Sequence, residues 1–175
     1  MTPLGPFRPE DAVNPVPLGF LDQPLAFVDL ETSGTAARRD RITEVGIITV
    51  DLDGHVEEWS SLINPGERIP SAIEMLTGIS NAMVEDAPRF ERIAAEVHDR
   101  LAGRLLIAHN VRFDYGFLKN EFARIGITFR PRLLCTARLS RALFRQHRHH
   151  NLDALIERHG IPCAEERPQI GRAHV

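Results

Sequence analysis

The chain has 175 residues, 26% of them charged, and a formal net charge of −3. This length suits one compact domain of ordinary size, and the balance of apolar and charged residues is typical of globular proteins. The negative charge argues against a nucleic-acid-binding protein, but only weakly. An enzyme that binds only the end of a nucleic-acid strand does not need an excess of basic residues. No apolar run approaches the ~20 residues of a membrane helix, and no secretory signal pattern opens the chain, so no membrane association is expected.

Cys135 and Cys163 are the two cysteines of the sequence. They lie far apart and form no CxxC or Cys/His spacing, which argues against a zinc site or a disulfide framework. A reducing cytoplasm is therefore the expected location.

The first half of the chain predicts a short lead-in followed by strands. Six of the twelve prolines fall within the first 24 residues, so we predict a disordered lead-in over residues 1–23. The apolar run "PLAFVDLE" (24–31) predicts a buried strand. The stretch 41–65 predicts two strands joined around Asp53-Gly54, a hairpin signal.

The second half predicts helices that alternate with short strands. A helix begins at Pro70-Ser71 and ends at Gly78. The remaining predicted elements are, in order, a helix over 87–103, a strand over 104–110, a helix over 111–126, a strand running into a helix over 131–144, and a helix over 151–160. This order predicts an α/β fold with a mixed sheet, an antiparallel meander extended by parallel strands, and helices on its faces.

Two carboxylates end the first predicted strand, in "FVDLETSG". Asp29 and Glu31 are two residues apart, so their side chains point to the same face of the strand. Like charges this close repel each other in apolar surroundings, and a divalent cation would remove that cost. All-oxygen ligands favour Mg²⁺ or Mn²⁺. The alternative is a solvated strand end without a ligand.

A third carboxylate, Asp114, lies near the start of the helix in "IAHNVRFDYGFL". The helix dipole alone favours a carboxylate there, with Asn110 as a candidate N-cap. Asp114 nevertheless sits among Phe113, Tyr115 and Phe117, and a carboxylate in a mostly apolar stretch is also a candidate third metal ligand.

Two further segments leave alternatives open. By physics alone, Leu76 to Ile79 is a core segment with a helix C-cap. The stretch from Arg130 to His150 holds six arginines and no acidic residue. It is either a phosphate-binding face or a solvated basic face.

Taken in order, "FVDLETSG", "LTGIS…MVEDAPRF", "HNVRFDYGFL" and "HHNLDALIERHGI" resemble the DnaQ-like 3′–5′ exonucleases of the DEDDh group. That group includes the proofreading epsilon subunit of bacterial DNA polymerase III. The resemblance covers about residues 24 to 163, and four motifs in the right order at the right spacing are highly specific. It implies a ribonuclease H-like fold for an exonuclease domain over residues 24–168.

The resemblance also implies roles for individual residues. Asp29, Glu31 and Asp114 would be catalytic and would bind two divalent metal ions, Mg²⁺ or Mn²⁺. The expected substrate contacts are Thr32, Ser33, Leu76, Thr77, His109, Asn110 and Phe113. The implied reaction is hydrolysis of phosphodiesters at a single-stranded DNA 3′ end, with RNA as an alternative, to release nucleoside monophosphates. One metal would make hydroxide from water and the other would stabilise the departing 3′ oxygen.

The resemblance leaves the biological role open. A polymerase catalytic subunit is an expected partner, in proofreading or repair. A nucleic-acid-binding or polymerase-associated module without catalysis is the competing interpretation, and an RNA-trimming exoribonuclease is another.

The third motif of the group is absent from this sequence. It is a histidine followed five residues later by an aspartate, and it normally follows the "NLDAL…HGI" helix. Here no aspartate lies beyond Asp153, and His174 is followed only by Val175. We therefore expect a C-terminally truncated chain that lacks its general-base histidine, its fourth acidic residue and its last helix. We expect it to be nearly inactive and to expose apolar sheet surface.

The last residues suggest a cause for this truncation. "IGRAHV" can be back-translated as ATC GGA AGA GCA CAC GTC, which resembles the start of a widely used short-read sequencing adapter. Our hypothesis is that the natural sequence ends near Pro168 and that residues 169–175 are adapter read-through.

Overall fold

The structure is a computed structural model that describes residues 23–162. Five strands form one sheet in the order β3-β2-β1-β4-β5. The strands are β1 (Leu25–Thr32), β2 (Ile42–Val50), β3 (Val56–Leu62), β4 (Leu105–Ala108) and β5 (Arg132–Cys135). β2 pairs with β1 and β3 in antiparallel orientation, whereas β4 pairs with β1 and β5 in parallel. The predicted mixed sheet is confirmed, while the predictions for residues 1–22 and 169–175 lie outside the described residues.

Six helices flank the sheet within residues 23–162. They are α1 (Ser71–Thr77), α2 (Asn81–Val84), α3 (Phe90–Leu101), α4 (Arg112–Arg124), α5 (Thr136–Leu143) and α6 (Leu152–His159). Sequence reasoning missed α2, which is too short to show a helical period; its one local signal is Ser80, whose side chain accepts from the Met83 N–H. No helix in this part of the chain is long and apolar enough to cross a membrane.

The core lies between one face of the sheet and helices α3 and α4. Alternation along β1 places Ala26, Val28 and Leu30 on this face, all nearly inaccessible. Phe90 of α3 and Phe122 of α4 meet edge to face at 5.2 Å between ring centroids. The opposite face of β1 carries Leu25, which is 8% exposed, and Phe27, which is 39% exposed, and it ends with the two carboxylates. The sheet therefore has a packed side and a more open side.

A buried ion pair ties the loop after β1 to α4. Nε and Nη2 of Arg41 donate to the two carboxylate oxygens of Glu121 at 2.7 and 2.9 Å. The Glu121 side chain is 1% exposed, and Arg124 adds a second contact at 3.1 Å. Because the fork of a guanidinium matches a carboxylate in one orientation, this pair fixes the loop against the helix.

We predict that Glu121→Ala lowers the free energy of unfolding by about 3 kcal/mol, since it removes the buried half of the fork and leaves the guanidinium of Arg41 with only a 3.7 Å contact to the exposed Glu91. Urea denaturation of the 175-residue chain measures this. Glu96→Ala is the control, because the Glu96 side chain is 46% exposed, whereas Glu121 is 1% exposed, and Arg100 keeps a second partner in Glu57. A pair with a solvent-exposed carboxylate contributes about 0.5 kcal/mol or less. Equal losses in the two variants would contradict a structural role for the buried pair.

Candidate active site

The two carboxylates of β1 lie on the more open face of the sheet. Asp29 and Glu31 alternate with the core residues Val28 and Leu30, as their spacing predicts. Asp29 is half-buried and Glu31 is 3% exposed. The β1–β2 register shifts directly after Glu31, and such irregularities re-aim side chains at the end of a strand. Both carboxylates therefore sit at the carboxyl end of β1, beside the parallel strand β4, where open α/β sheets bind ligands.

Helix α4 brings the third predicted carboxylate to the same strand end. Its buried residues recur at helical spacing: Asp114, Phe117, Leu118, Glu121 and Phe122. The apolar members pack into the core, so the helix can dock only with both carboxylates inside. Asp114 is 1% exposed.

The start of α4 differs from the prediction. Asn110 is not the N-cap; that position is Val111, and no side chain caps the helix. Asn110 instead has a φ of 67°, a left-handed conformation that asparagine tolerates better than most residues. This left-handed residue lies in the three-residue connection 109–111 that leads from β4 into α4.

The charge of Asp114 is poorly compensated among the described residues. The pKa of Asp114 is raised to about 7. Burial is the largest cause, and the negative charges of Asp29 and Glu31 act in the same direction. Hydrogen bonds with its own backbone and with that of Leu30 oppose the shift. Its Oδ1 atom is buried with no hydrogen-bond partner in residues 23–162. Glu121 lies two turns further along the same stripe and has two arginines. Unlike Glu121, Asp114 is thus a buried carboxylate whose negative charge a bound cation would compensate.

These residues fit a divalent metal ion in donor type. The donors are carboxylate oxygens, which Mg²⁺ and Mn²⁺ prefer, and one of them is an orphaned buried oxygen. No three His, Cys, Asp or Glu side chains of the described part of the chain are grouped closely enough to hold a metal ion in the arrangement observed. Metal binding would therefore require some side-chain adjustment around Asp114.

Thr32 and Ser33 direct their hydroxyls into the protein. Thr32 Oγ1 donates to the Gly34 carbonyl at 2.6 Å, and Ser33 Oγ donates to Glu67 at 2.6 Å. Ser33 Oγ also accepts from the backbone N–H of Arg41 at 2.9 Å. A Cβ at Gly34 would collide with the carboxylate of Asp40. The structure thus shows Thr32 and Ser33 shaping a tight turn beside the carboxylates.

At the end of α1 an exposed residue is followed by a buried one. Leu76 is 50% exposed, whereas Thr77 is 6% exposed. The Thr77 hydroxyl donates to the Ile73 carbonyl at 3.0 Å and accepts from the Ile79 N–H at 3.2 Å. The predicted C-cap is Gly78, which has a φ of 75°, and Thr77 belongs to the buried interior, whereas Leu76 presents apolar surface.

His109 connects the end of β4 to α5. Its Nδ1 lies 3.0 Å from Oγ1 of Thr136. Burial and the charge of Arg141 lower the pKa of His109, while a hydrogen bond with the backbone of His150 and the charge of Asp29 act in the opposite direction. His109 thus lies within electrostatic reach of both Asp29 and Arg141.

The other two predicted contacts of this segment differ in exposure. The Asn110 side chain is exposed. Phe113 is half-buried and packs on Phe117, with 4.9 Å between ring centroids.

One carboxylate near the site was missed by sequence reasoning. Glu44 of β2 is the register partner of Glu31, so the two side chains share a face. Burial and then the charge of Asp29 raise the pKa of Glu44. The "RITEVGIITV" alternation separates Glu44 from the core face, but only the register of the hairpin shows that it meets Glu31.

The basic stretch forms an exposed rim next to the site. The side chains of Arg138, Arg141, Arg145 and Arg148 are exposed, and none forms a salt bridge with a residue in the range 23–162. Arg141 is the one that influences His109. The rim therefore begins close to the carboxylates.

We predict that, without metal, the chain becomes less stable as the pH rises from about 4 to about 7. The folded form holds the Asp114 proton up to about pH 7, while the unfolded chain releases it near its ordinary pKa. The stabilisation is therefore complete below the pKa that Asp114 has in the unfolded chain. It decreases as the pH rises, and at most about 4 kcal/mol has been lost once the pH passes the pKa of Asp114 in the folded protein. Urea denaturation in EDTA at several pH values measures this. Asp114→Asn should flatten this loss, and an unchanged pH dependence in that variant would refute the assignment.

Comparison with known proteins agrees with this geometry. A family model described as "Exonuclease" matches residues 26–165. The 3′-5′ exonuclease DinG of Bacillus subtilis (strain 168) is 37% identical over 137 residues, which is 77% of this chain but 15% of that protein. DinG of Staphylococcus aureus (strain USA300) is 34% identical over 140 residues, 79% of this chain and 16% of that protein. The chain thus spans about a sixth of the length of these relatives.

Solved structures show the same fold. Exonuclease X in complex with 5′ overhanging duplex DNA has a TM-score of 0.65 and 24% identity, over 84% of this chain and 79% of that one. E. coli exonuclease I in complex with a dT13 oligonucleotide has a TM-score of 0.70 and 20% identity, over 81% and 36% of the two chains. The fold and the family model together confirm the DnaQ-like resemblance, and the chain belongs to the RNase_T exonuclease family.

Proposed function

We propose that the chain carries a metal-dependent 3′–5′ exonuclease domain of the DEDDh type that hydrolyses phosphodiester bonds at DNA 3′ ends and releases nucleoside monophosphates. The observation that carries this proposal is the orphaned Oδ1 of Asp114, buried beside Asp29 and Glu31 at the carboxyl end of β1. A buried carboxylate without a cation is costly, whereas the same carboxylate is a suitable ligand for a divalent metal ion.

The carboxylates have the metal-binding role in this proposal. Asp29, Glu31 and Asp114 would hold two divalent ions. When bound, the metal ions supply a hydroxide nucleophile at neutral pH and stabilise charge on the departing oxygen. The turn at Thr32 and Ser33 fixes where β1 ends, and the Arg41–Glu121 pair holds that turn against α4. The rigid turn would keep two of the carboxylates at fixed positions relative to the third.

The terminal nucleotides would lie against residues around this site. Leu76 offers exposed apolar surface for a base, and Met75 extends it with a side chain that is 82% exposed. The exposed Asn110 side chain and the half-buried Phe113 ring flank the carboxylates at the start of α4. His109 would act mainly by holding the end of β4 to α5. The hydroxyl of Thr77 already forms hydrogen bonds within the turn. Thr77 would therefore hold the turn in place rather than contact the substrate with its hydroxyl.

The rest of the nucleic-acid strand would lie along the basic rim. Its exposed arginines have no acidic partners within residues 23–162, and phosphates are the anions that such side chains bind. The phosphates of the nucleic acid would thus contact the arginines of the rim, and its 3′ end would lie at the carboxylates, whose charge would be neutralised by metal ions. RNA carries the same phosphates and is the alternative substrate.

The general base is proposed to lie outside the described residues. Among residues 23–162, His109 contacts Thr136, and His150 contacts Ser140 at 2.8 Å, so both have structural partners. We propose that the base and a fourth acidic ligand lie outside residues 23–162, and that the 175-residue chain is nearly inactive. Proofreading beside a polymerase catalytic subunit is a further proposal that follows from the epsilon-like motifs, and a cytoplasmic location is one that follows from the two cysteines of the sequence, which lie far apart.

We predict that the chain, extended past codon 168 along its natural gene, releases mononucleotides from a 3′-labelled oligonucleotide with Mg²⁺ or Mn²⁺. Asp29→Asn should reduce the rate by about 10²-fold or more, since each lost metal ligand removes several kcal/mol of charge stabilisation. Gel analysis of the labelled products measures the rate, with Asp99→Asn on the exposed side of α3 as the control. A metal-loaded extended chain that binds but does not hydrolyse the oligonucleotide would favour the non-catalytic binding module.

We predict that Arg141→Gln weakens binding of a single-stranded oligonucleotide about threefold at low salt. It should also reduce the slope of log affinity against log salt by about 0.7, the value for one phosphate contact on a single strand. Fluorescence anisotropy at several salt concentrations measures both. Arg130→Gln removes the same charge from an exposed site at the opposite end of β5. If the two variants behave alike, the rim does not guide the strand.

A further inference from the structure

Glu44 lies on the same face of the sheet as the proposed metal ligands. In the β1–β2 register Glu31 pairs with Glu44, and Asp29 pairs with Gly46. Directly opposed side chains in antiparallel strands share a face, with Cβ atoms about 4.5–5.5 Å apart. The Glu44 carboxylate therefore extends beside Glu31, and Gly46 leaves the space next to Asp29 without a side chain.

Among the described residues, no cationic side chain is paired with Glu44. Glu44 is half-buried, and no hydrogen bond or salt bridge joins its side chain to another residue in the range 23–162. Like charges placed directly opposite each other on a sheet are destabilising. A neutral residue at position 44 would relieve that repulsion, so the carboxylate costs stability in the metal-free protein.

A second observation indicates that the compensating ligand is a cation at this strand end. The Oδ1 atom of Asp114 is buried without a hydrogen-bond partner in the described residues, and its side chain is 1% exposed. It approaches from α4, on another side of β1 from Glu44. Two carboxylates from different elements thus flank the pair on β1, and neither has a positively charged partner among residues 23–162.

We propose that Glu44 is an additional carboxylate of the divalent-cation site formed by Asp29, Glu31 and Asp114. The inference rests on the proposed metal-dependent function and adds a residue of β2 to it. Glu44 raises the affinity of the site for divalent cations, because affinity at oxygen-ligand sites increases with the number of charged ligands. It does so at the expense of the stability of the metal-free protein.

The test is a Mn²⁺ titration of the 175-residue chain, with free Mn²⁺ followed by electron paramagnetic resonance. Glu44→Gln should raise the dissociation constant at least fivefold, and Asp114→Asn should raise it further. In EDTA, Glu44→Gln should melt at the same temperature as the wild type or higher, whereas its stabilisation by added Mn²⁺ should be smaller. A purely structural role for Glu44 would instead lower the melting temperature in EDTA.

Glu58→Gln is the matched control, because Glu58 pairs with Ile48 and so lies on the same face, further from Glu31. Its dissociation constant should stay within twofold of the wild type. If Glu44→Gln does not fold, Glu44→Thr makes the same test with a residue that strands accommodate well. Mn²⁺ binding that Asp114→Asn weakens and Glu44→Gln leaves unchanged overturns this inference alone. A wild type that binds no Mn²⁺ overturns the proposed metal-dependent function as well.

Discussion

The docking of α4 on the sheet is the constraint on which the site depends. The buried stripe of the helix interleaves large apolar side chains with two carboxylates, so burying Phe117 and Phe122 also buries Asp114 and Glu121. An uncompensated buried charge costs several kcal/mol. The protein compensates one of the two with an arginine fork and leaves the other facing the carboxylates of β1. A single packing event thus creates both a structural anchor and a site of unbalanced negative charge.

The anchor determines how sharply the site is defined. Arg41 joins the loop after β1 to Glu121, and its backbone N–H also donates to Ser33 at the strand end. The end of β1 and the start of α4 are therefore coupled through the same loop and the same helix. A site made from two separate elements needs such coupling, because small displacements of its ligands weaken binding and catalysis.

Much of this arrangement follows from the sequence, and the exceptions share a cause. The strands, the long helices and the positions of Asp29 and Glu31 follow from alternation and helical spacing. Glu44 was missed because its neighbour across the sheet depends on hairpin register, which local patterns do not specify. The conformation of Asn110 was missed because tertiary packing, rather than a cap, sets where α4 begins. Local sequence thus predicts which residues face which side, while long-range pairing decides which of them meet.

A net charge of −3 does not show how the charges are distributed over the protein. Charge of both signs is segregated at one end of the sheet: carboxylates collect around β1, and exposed arginines follow β5 in sequence. A polyanion is attracted by the rim but repelled by the carboxylates, and divalent cations reverse the second effect. Metal binding would therefore act on substrate affinity as well as on chemistry, because a strand end can approach Asp29 and Glu31 closely only after their charge has been neutralised.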